Sequence, residues 1–214
     1  MTVIQAKRIL PTKRRPKPLI TMLGIDPGLS NTGYAVALVD VEQARIVKTL
    51  ELGTIQTERE TAKTIRRTSD DLRRARKIHR ELKSVVERHA ISVAACEMQS
   101  TTPYKRISLN FGVTLGVIAS FDFFLVELLA RDVKKAVTGD RDATKEKVIR
   151  WALETTRNDD VRWPTSARQN RMDLSYRARH VTLAAEHQAD ALAVIFAALQ
   201  SEQMSDLRAL QKAL

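Results

Sequence analysis

Apolar positions fall into two kinds of run along this chain. Short, nearly continuous runs occur at residues 19–25, 34–39, 46–55, 91–96 and 123–128. Runs of this length, punctuated by proline, glycine or asparagine, predict buried strands. Pro18 and Pro27 bracket the first run, and Pro27, Gly28 and Asn31 supply the turn into the second. The first three strands are therefore expected to form an antiparallel meander. Other stretches carry helical spacing. Between residues 61 and 90, Ile65, Leu72, Ala75, Ile78, Leu82 and Val85 share one face, predicting a long amphipathic helix. Its other face, with Arg66, Arg67, Arg73, Arg74, Arg76 and Arg80, reads as solvated. Further helices are expected over 104–121, over 144–154 with Thr144 as cap, and over 181–199. Residues 201–214 read as a short appended helix.

The order of three strands, helix, strand, helix, strand, helix, helix indicates an α/β domain with a mixed five-stranded sheet. An antiparallel meander would be followed by parallel strands, each reached through a helix. The domain is expected to span 19–200. Residues 1–18 hold six basic residues and Pro11, Pro16 and Pro18, with no acid before Asp26, and read as a flexible arm. Residues 155–179 are polar and arginine-rich and read as a basic excursion.

Composition narrows the classes. At 214 residues and 43% hydrophobic the chain can bury one ordinary core, and that apolar fraction excludes wholesale disorder despite 29% charged residues. Cys96 is the single cysteine, which excludes a disulfide or a cysteine-built zinc site and suits a reducing compartment. The most apolar stretch, 111–130, carries Asp122 and Glu127 and is broken by glycines, so no membrane span or secretory signal is predicted. The 36 Lys+Arg against 25 Asp+Glu leave a net +11, which points to a polyanionic partner, nucleic acid foremost.

Three acidic positions stand out. Asp26 ends the first apolar strand, where an unpaired carboxylate is costly to bury. An Asx-turn is the bland explanation. Glu97 ends the fourth strand, and if the two strands are neighbours both acids sit at one edge of the sheet, where open α/β sheets place their sites. In Glu186-His187-Gln188-Ala189-Asp190, positions 187 and 190, and 186 and 190, share a helix face within an otherwise apolar segment. If Asp26, Glu97 and Asp190 met, each pair at 4 Å would repel by roughly 1 kcal/mol in water and about 4 kcal/mol at an intermediate dielectric. Such a cluster calls for hard cations, Mg²⁺ or Mn²⁺, with His187 suiting Mn²⁺. Two ions about 4 Å apart can promote phosphodiester hydrolysis, so a basic protein with this site would be a nuclease.

The residues from Met22 through Gly24-Ile25-Asp26-Pro27-Gly28 to Val36 resemble the first motif of the RuvC-type Holliday junction resolvase family, whose members have the RNase H-like fold. Cys96-Glu97-Met98-Gln99 resembles the segment of the second acid. Asn110-Phe111-Gly112 with Gly116 resembles the helix that follows. Val133 to Gly139 and Ala143-Thr144-Lys145 resemble the basic segment, and His187-Gln188-Ala189-Asp190-Ala191-Leu192-Ala193 resembles the last motif. The resemblance implies a homodimer that binds four-way or branched DNA and cuts it by paired nicks. It implies two Mg²⁺ ions per site, Mn²⁺ being an alternative, with Asp26, Glu97, His187 and Asp190 as metal-binding catalytic residues. Many relatives carry Asp at the position of His187 and some carry His, which would also serve as general base or water-orienting group. Glu186 competes for that place. Lys134 and Lys145 match family lysines that contact DNA, and Lys135, Tyr104 and Arg106 are expected to join the same surface.

There are departures from the family pattern. Ser100 stands where the family often has an aromatic wedge, leaving Tyr104 in the following loop for that part. The excursion, arm and extension indicate a divergent member of viral or organellar type. The expected location is the cytoplasm of a bacterial or phage-infected cell, or an organelle. Other readings are a nuclease of the same fold acting on RNA–DNA hybrids or flaps, a non-catalytic branched-DNA-binding protein, and an ATPase cradling phosphate at Gly28 and Gly33.

Overall fold

Strand β1 (Leu19–Asp26) lies in the middle of a five-stranded sheet. It pairs antiparallel with β2 (Asn31–Asp40), which pairs antiparallel with β3 (Arg45–Gln56). On its other side it pairs in parallel with β4 (Val93–Met98), followed in parallel by β5 (Phe124–Leu129), giving the order β3-β2-β1-β4-β5. The structure is a computed structural model and describes residues 19–62, 64–99, 104–164 and 185–213. The expected meander and parallel pair are both present.

Strands buried on both faces read as continuous apolar runs, and the pleat then sorts their side chains by alternation. Met22, Val93 and Ala95 join the cluster on one face, while Leu23, Ile25, Ala94 and Cys96 join the cluster on the other. The first face is covered by α3 (Ala130–Thr138), α4 (Lys145–Thr155) and α5 (Glu186–Leu199). They contribute Val133, Val148, Leu153, Leu192 and Ile195. Helix α6 (Glu202–Ala213) adds the fully buried Met204 to the same core. The second face is covered by α1 (Arg67–Arg88) and α2 (Lys105–Ile118), through Ile78, Leu82, Val85, Val117 and Ile118.

Two glycines let α5 lie directly on the sheet. A Cβ at Gly24 of β1 would stand 2.0 Å from the Ala191 carbonyl oxygen, and one at Gly33 of β2 would stand 2.0 Å from that of His187. Any side chain there would push the helix off the strands. This close approach fixes the start of α5 over the end of β1.

The chain departs from the sequence-based expectation in four places. The helix foreseen over 61–90 begins only at Arg67, and its nominal apolar positions Ile65 and Leu72 are 46% and 52% exposed. The preceding segment is held instead by side chains of the first two turns: the Glu60 N–H donates to Asp70 Oδ2 at 3.3 Å and Arg73 donates to the Glu58 carbonyl at 2.7 Å. Arg74, assigned to the solvated face, is 3% exposed. The third departure is α3, nine residues closed by Gly139 at φ +77°, whose N–H bonds to the Lys135 carbonyl. A glycine after Lys134-Lys135 is the sequence signature of such a left-handed helix end. Thr144 precedes α4 in extended conformation and makes no capping hydrogen bond through its side chain.

The arm at 1–18, residues 165–179 of the excursion and the first residues of the helix expected from 181 lie outside the described residues. The start of the excursion is tied down, with the Thr49 N–H donating to Asp159 Oδ2 at 2.9 Å and Trp163 Nε1 donating to Thr156 Oγ1 at 3.1 Å. Among the described residues no helix is long and apolar enough to cross a membrane.

Candidate active site

The parallel pairing of β1 and β4 aligns Ile25 with Cys96, so Asp26 and Glu97 are the next residues of two adjacent strands. Ile25 and Cys96 both point to the α1/α2 face. The following residues therefore point to the α5 face. Helix α5 supplies the remaining groups from its first two turns. His187 Nδ1 lies 2.7 Å from Asp26 Oδ2. Asp190, one turn on, lies in the field of Asp26 and Glu97. The structure thus brings together Asp26, Glu97, His187 and Asp190, drawn from segments up to 164 positions apart in sequence.

The electrostatics of this edge are unusual for ion-paired carboxylates. Burial, reinforced by the neighbouring Asp26 and Asp190, pushes the Glu97 carboxyl up to about 8. Burial, with Asp26 and Glu186, pushes Asp190 up to about 7. The hydrogen bond to Asp26 raises His187 against the opposing effect of burial. Behind the site, burial and then the charges of Asp26, Glu97 and Glu127 push the Cys96 thiol up to about 12. Cys96 is accordingly an inert core residue. Burial, and then mutual repulsion, keep the cluster from ionising fully. Among the described residues, no three His, Cys, Asp or Glu side chains enclose an ion as they stand. The donor set nonetheless fits a hard divalent cation: three carboxylates and an imidazole, two of the carboxylates held from ionising by each other's charge and by burial. His187 now occupies one oxygen of Asp26, and a cation would compete with it for that carboxylate.

The lysines separate. Lys134 on α3 is half-buried and its charge opposes the upward shifts of both Glu97 and Asp190. Lys135, one position on, is exposed. Lys145, at the start of α4, pairs with Glu186 at 2.5 Å, and this bond raises its pKa. Glu186 is therefore engaged by Lys145, while His187 is the residue against Asp26. Tyr104, at the N-cap of α2, is 66% exposed. Arg106 is turned to Asp71 of α1 in a bidentate pair at 2.7 and 2.9 Å.

That pair belongs to a buried network that the sequence reading did not find. Arg74 donates to Thr57 Oγ1 at 2.8 Å and to Ser30 Oγ at 2.7 Å, and lies 4.0 Å from Asp71. It ties the loop after Asp26 to α1, while Asp71 ties α1 to α2. The signal available was Asp70-Asp71 followed three positions on by Arg73-Arg74.

The meander-led sheet, with its acids gathered at the ends of β1 and β4 under a C-terminal helix, defines an RNase H-like protein. By fold it matches RuvC of T. thermophilus, solved in complex with Holliday junction substrate (TM-score 0.59, 21% identity, covering 83% of this chain and 92% of that one). It also matches the yeast mitochondrial Holliday junction resolvase (TM-score 0.56, 12% identity, covering 94% and 86%). The profile of the family described as crossover junction endodeoxyribonuclease RuvC matches residues 22–156. The crossover junction endodeoxyribonuclease RuvC of Neorickettsia sennetsu is 32% identical over 130 residues, covering 59% of this chain and 72% of that protein. The chain belongs to the RuvC family. The profile match contains Asp26, Glu97, Lys134 and Lys145. His187 and Asp190 lie beyond it and owe their place here to the geometry of α5.

Proposed function

We propose that this protein is a metal-dependent endonuclease that resolves Holliday junctions and related branched DNA by paired nicks. The observation that carries this reading is the convergence of Asp26, Glu97 and Asp190 at one sheet edge, in a chain of net charge +11. Asp26, Glu97 and Asp190 would hold two Mg²⁺ ions, or Mn²⁺ in their place. Ions so held supply Lewis acidity for phosphodiester hydrolysis, yielding a 5′-phosphate and a 3′-hydroxyl. Because a carboxylate only accepts, the 2.7 Å contact with Asp26 assigns the proton to Nδ1 of His187. Nε2 is thereby left as the nitrogen that orients water or takes up a proton. Lys134 would meet the scissile phosphate, and Lys145, Lys135 and Tyr104 would extend the DNA-binding surface. Arg106 joins that surface on leaving Asp71.

Two symmetric nicks need two sites, and we read the protein as a homodimer. Helix α2 supports this: Leu109 is 50% exposed, and a Cβ at Gly112 or Gly116 would meet nothing within 4 Å beyond its own neighbouring helical backbone. Sedimentation equilibrium at micromolar concentration checks it. A cytoplasmic setting agrees with the lone, reduced cysteine.

The test of function is a cleavage assay on four-way junction, flap, RNA–DNA hybrid and linear duplex, with Mg²⁺, Mn²⁺ or EDTA. Symmetric nicks confined to the junction and abolished by EDTA are expected. Cutting of hybrid or flap in preference to the junction would overturn the assignment.

A further inference from the structure

The buried stripe of α1 changes chemistry at its N-terminal end. Ile78, Leu82 and Val85 pack in the apolar core, but the positions that continue the stripe, Asp71 and Arg74, are charged and just as well covered, at 6% and 3% exposure. Taking a guanidinium out of water is costly, and an apolar side chain of similar volume would fill the place without that cost. The partners of Arg74 show what it does there. A carboxylate lies near, yet Asp71 stands 4.0 Å away and gives both its oxygens to Arg106. The donors of Arg74 go to hydroxyl groups instead, Nε to Thr57 Oγ1 at 2.8 Å and Nη2 to Ser30 Oγ at 2.7 Å. A planar fork can span two such acceptors, which a point charge cannot.

Both hydroxyls hold one small piece of structure, the turn of residues 27–30 that follows Asp26. Ser30 belongs to it. Thr57, just past the end of β3, is fastened to it twice: its N–H donates to the Ser30 carbonyl at 2.8 Å, and its hydroxyl donates to the Leu29 carbonyl. Leu29 is itself buried, in the same cluster as Ile78, one helical turn from Arg74. What the turn carries is the end of β1. Pro27 follows Asp26 directly, and its ring fixes its own φ and restricts the residue before it, so a displaced turn displaces Asp26. One oxygen of that carboxylate already meets His187, and the backbone sets where the other points. A misplacement of about 1 Å at a reacting centre can cost on the order of 10²-fold in rate.

We propose that Arg74 is a positioning residue for the reaction: anchored on α1, it clamps the turn of residues 27–30 through Ser30 and Thr57 and so fixes the aim of the Asp26 carboxylate at a metal ion. It touches neither substrate nor metal. Asp71, by holding Arg106, leaves the donors of Arg74 to the turn and extends the clamp to α2. The proposal rests on the nuclease reading above.

The experiment uses the full chain and three readouts: Mn²⁺ affinity of the DNA-free protein by electron paramagnetic resonance, single-turnover cutting of a four-way junction at saturating protein, and junction affinity by gel shift. Arg74→Met, at a temperature where circular dichroism shows it folded, is expected to bind Mn²⁺ about 10-fold more weakly and to cut about 10-fold or more slowly, the loss typical of removing a group that orients a metal ligand, with junction affinity within about two-fold of wild type. Arg74→Lys, which keeps the charge and reaches one hydroxyl, is expected to recover part of both losses. Ile78→Ala, one turn along the same stripe, separates positioning from stability: it lowers stability in urea to a comparable extent and is expected to keep the Mn²⁺ affinity and cutting rate of wild type. Ser30 is exposed, so Ser30→Ala tests the clamp even if Arg74→Met fails to fold, and a weakening of Mn²⁺ binding by about three-fold is expected from the loss of one charge-assisted bond. Wild-type Mn²⁺ affinity in folded Arg74→Met, or in Ser30→Ala where Arg74→Met does not fold, would overturn the proposal, as would equal losses in Ile78→Ala. Failure of the nuclease reading looks different: wild type would then bind no Mn²⁺ at Asp26 and cut no junction.

Discussion

Two groups of carboxylates, on opposite faces of the same sheet, have been driven in opposite directions. On the α1/α2 face, Asp70 is held below the ordinary range, chiefly by its hydrogen bond with Arg73. Burial pushes Glu51 up, but bonds from His89, Arg88 and Tyr34 outweigh it and leave it low. Asp71 is clasped by Arg106, with Arg74 alongside at 4.0 Å. On the α5 face, Glu97 and Asp190 are pushed to about 8 and about 7. Burial pushes Glu51 up just as it does Glu97 and Asp190, so burial alone does not separate the two groups. The difference is that the first face supplies fixed guanidinium groups in bonding contact, whereas the second, among the described residues, supplies the fields of Lys134 and Lys145 and one imidazole. Where a protein means its acids to be structural it neutralises them itself. Where they are left buried against one another, a cation from solution would stabilise their charged form.

That contrast can be broken by substitution, and the sizes of the effects should differ. Asp26→Asn, Glu97→Gln or Asp190→Asn is expected to reduce junction cutting by about 10³-fold or more, as for groups that act only together, with binding measured by gel shift largely preserved. Arg74→Met touches the other face. It leaves the Thr57 and Ser30 hydroxyl groups without their buried donor and removes the charge 4.0 Å from Asp71, and should lower unfolding free energy in urea by about 3 kcal/mol.

Glu97→Gln should have the opposite sign in metal-free protein. A carboxyl whose folded-state value lies above its ordinary 4.5 binds more protons when folded, so its contribution to stability declines as pH rises from about 4.5 to about 8. The glutamine form is therefore expected to be more stable than wild type at pH 8, on the order of 2 kcal/mol, with no gain at pH 4. Added Mg²⁺ should erase the gain by stabilising wild type alone, a change read as a thermal shift. The smallest effect belongs to Glu51→Gln, at about 1 kcal/mol. Glu51 is depressed, so its stabilisation is present above the ordinary carboxylate range and is lost as pH falls through its lowered value. The variant and wild type should converge in acid.

The two faces also differed in how far they could be read from the string of residues. The acids of the α5 side were visible because each interrupts an apolar pattern: Asp26 and Glu97 at the ends of strand runs, Asp190 inside an alanine-rich helix. The sheet edge was legible for the same reason, since two strands ending in an acid need only be neighbours to bring those acids together. The α1/α2 side was not legible. Its basic residues follow helical spacing and look solvated, and nothing local shows that Arg74 is covered by the loop carrying Ser30, 44 positions away. Helix α3 was missed because nine residues directly after a strand give too few turns for a period to emerge. Nor does motif order distinguish Lys134 from Lys135, since one residue of helical rotation decides which lysine faces the acids.

The most direct test is a crystal soaked in MnCl₂ and examined by anomalous diffraction at the manganese edge. Density within about 2.2 Å of carboxylate oxygens of Asp26, Glu97 and Asp190 is expected, together with loss of that density in Asp26→Asn. Manganese bound only elsewhere, in crystals of a protein that still nicks junctions in Mn²⁺, would contradict the account.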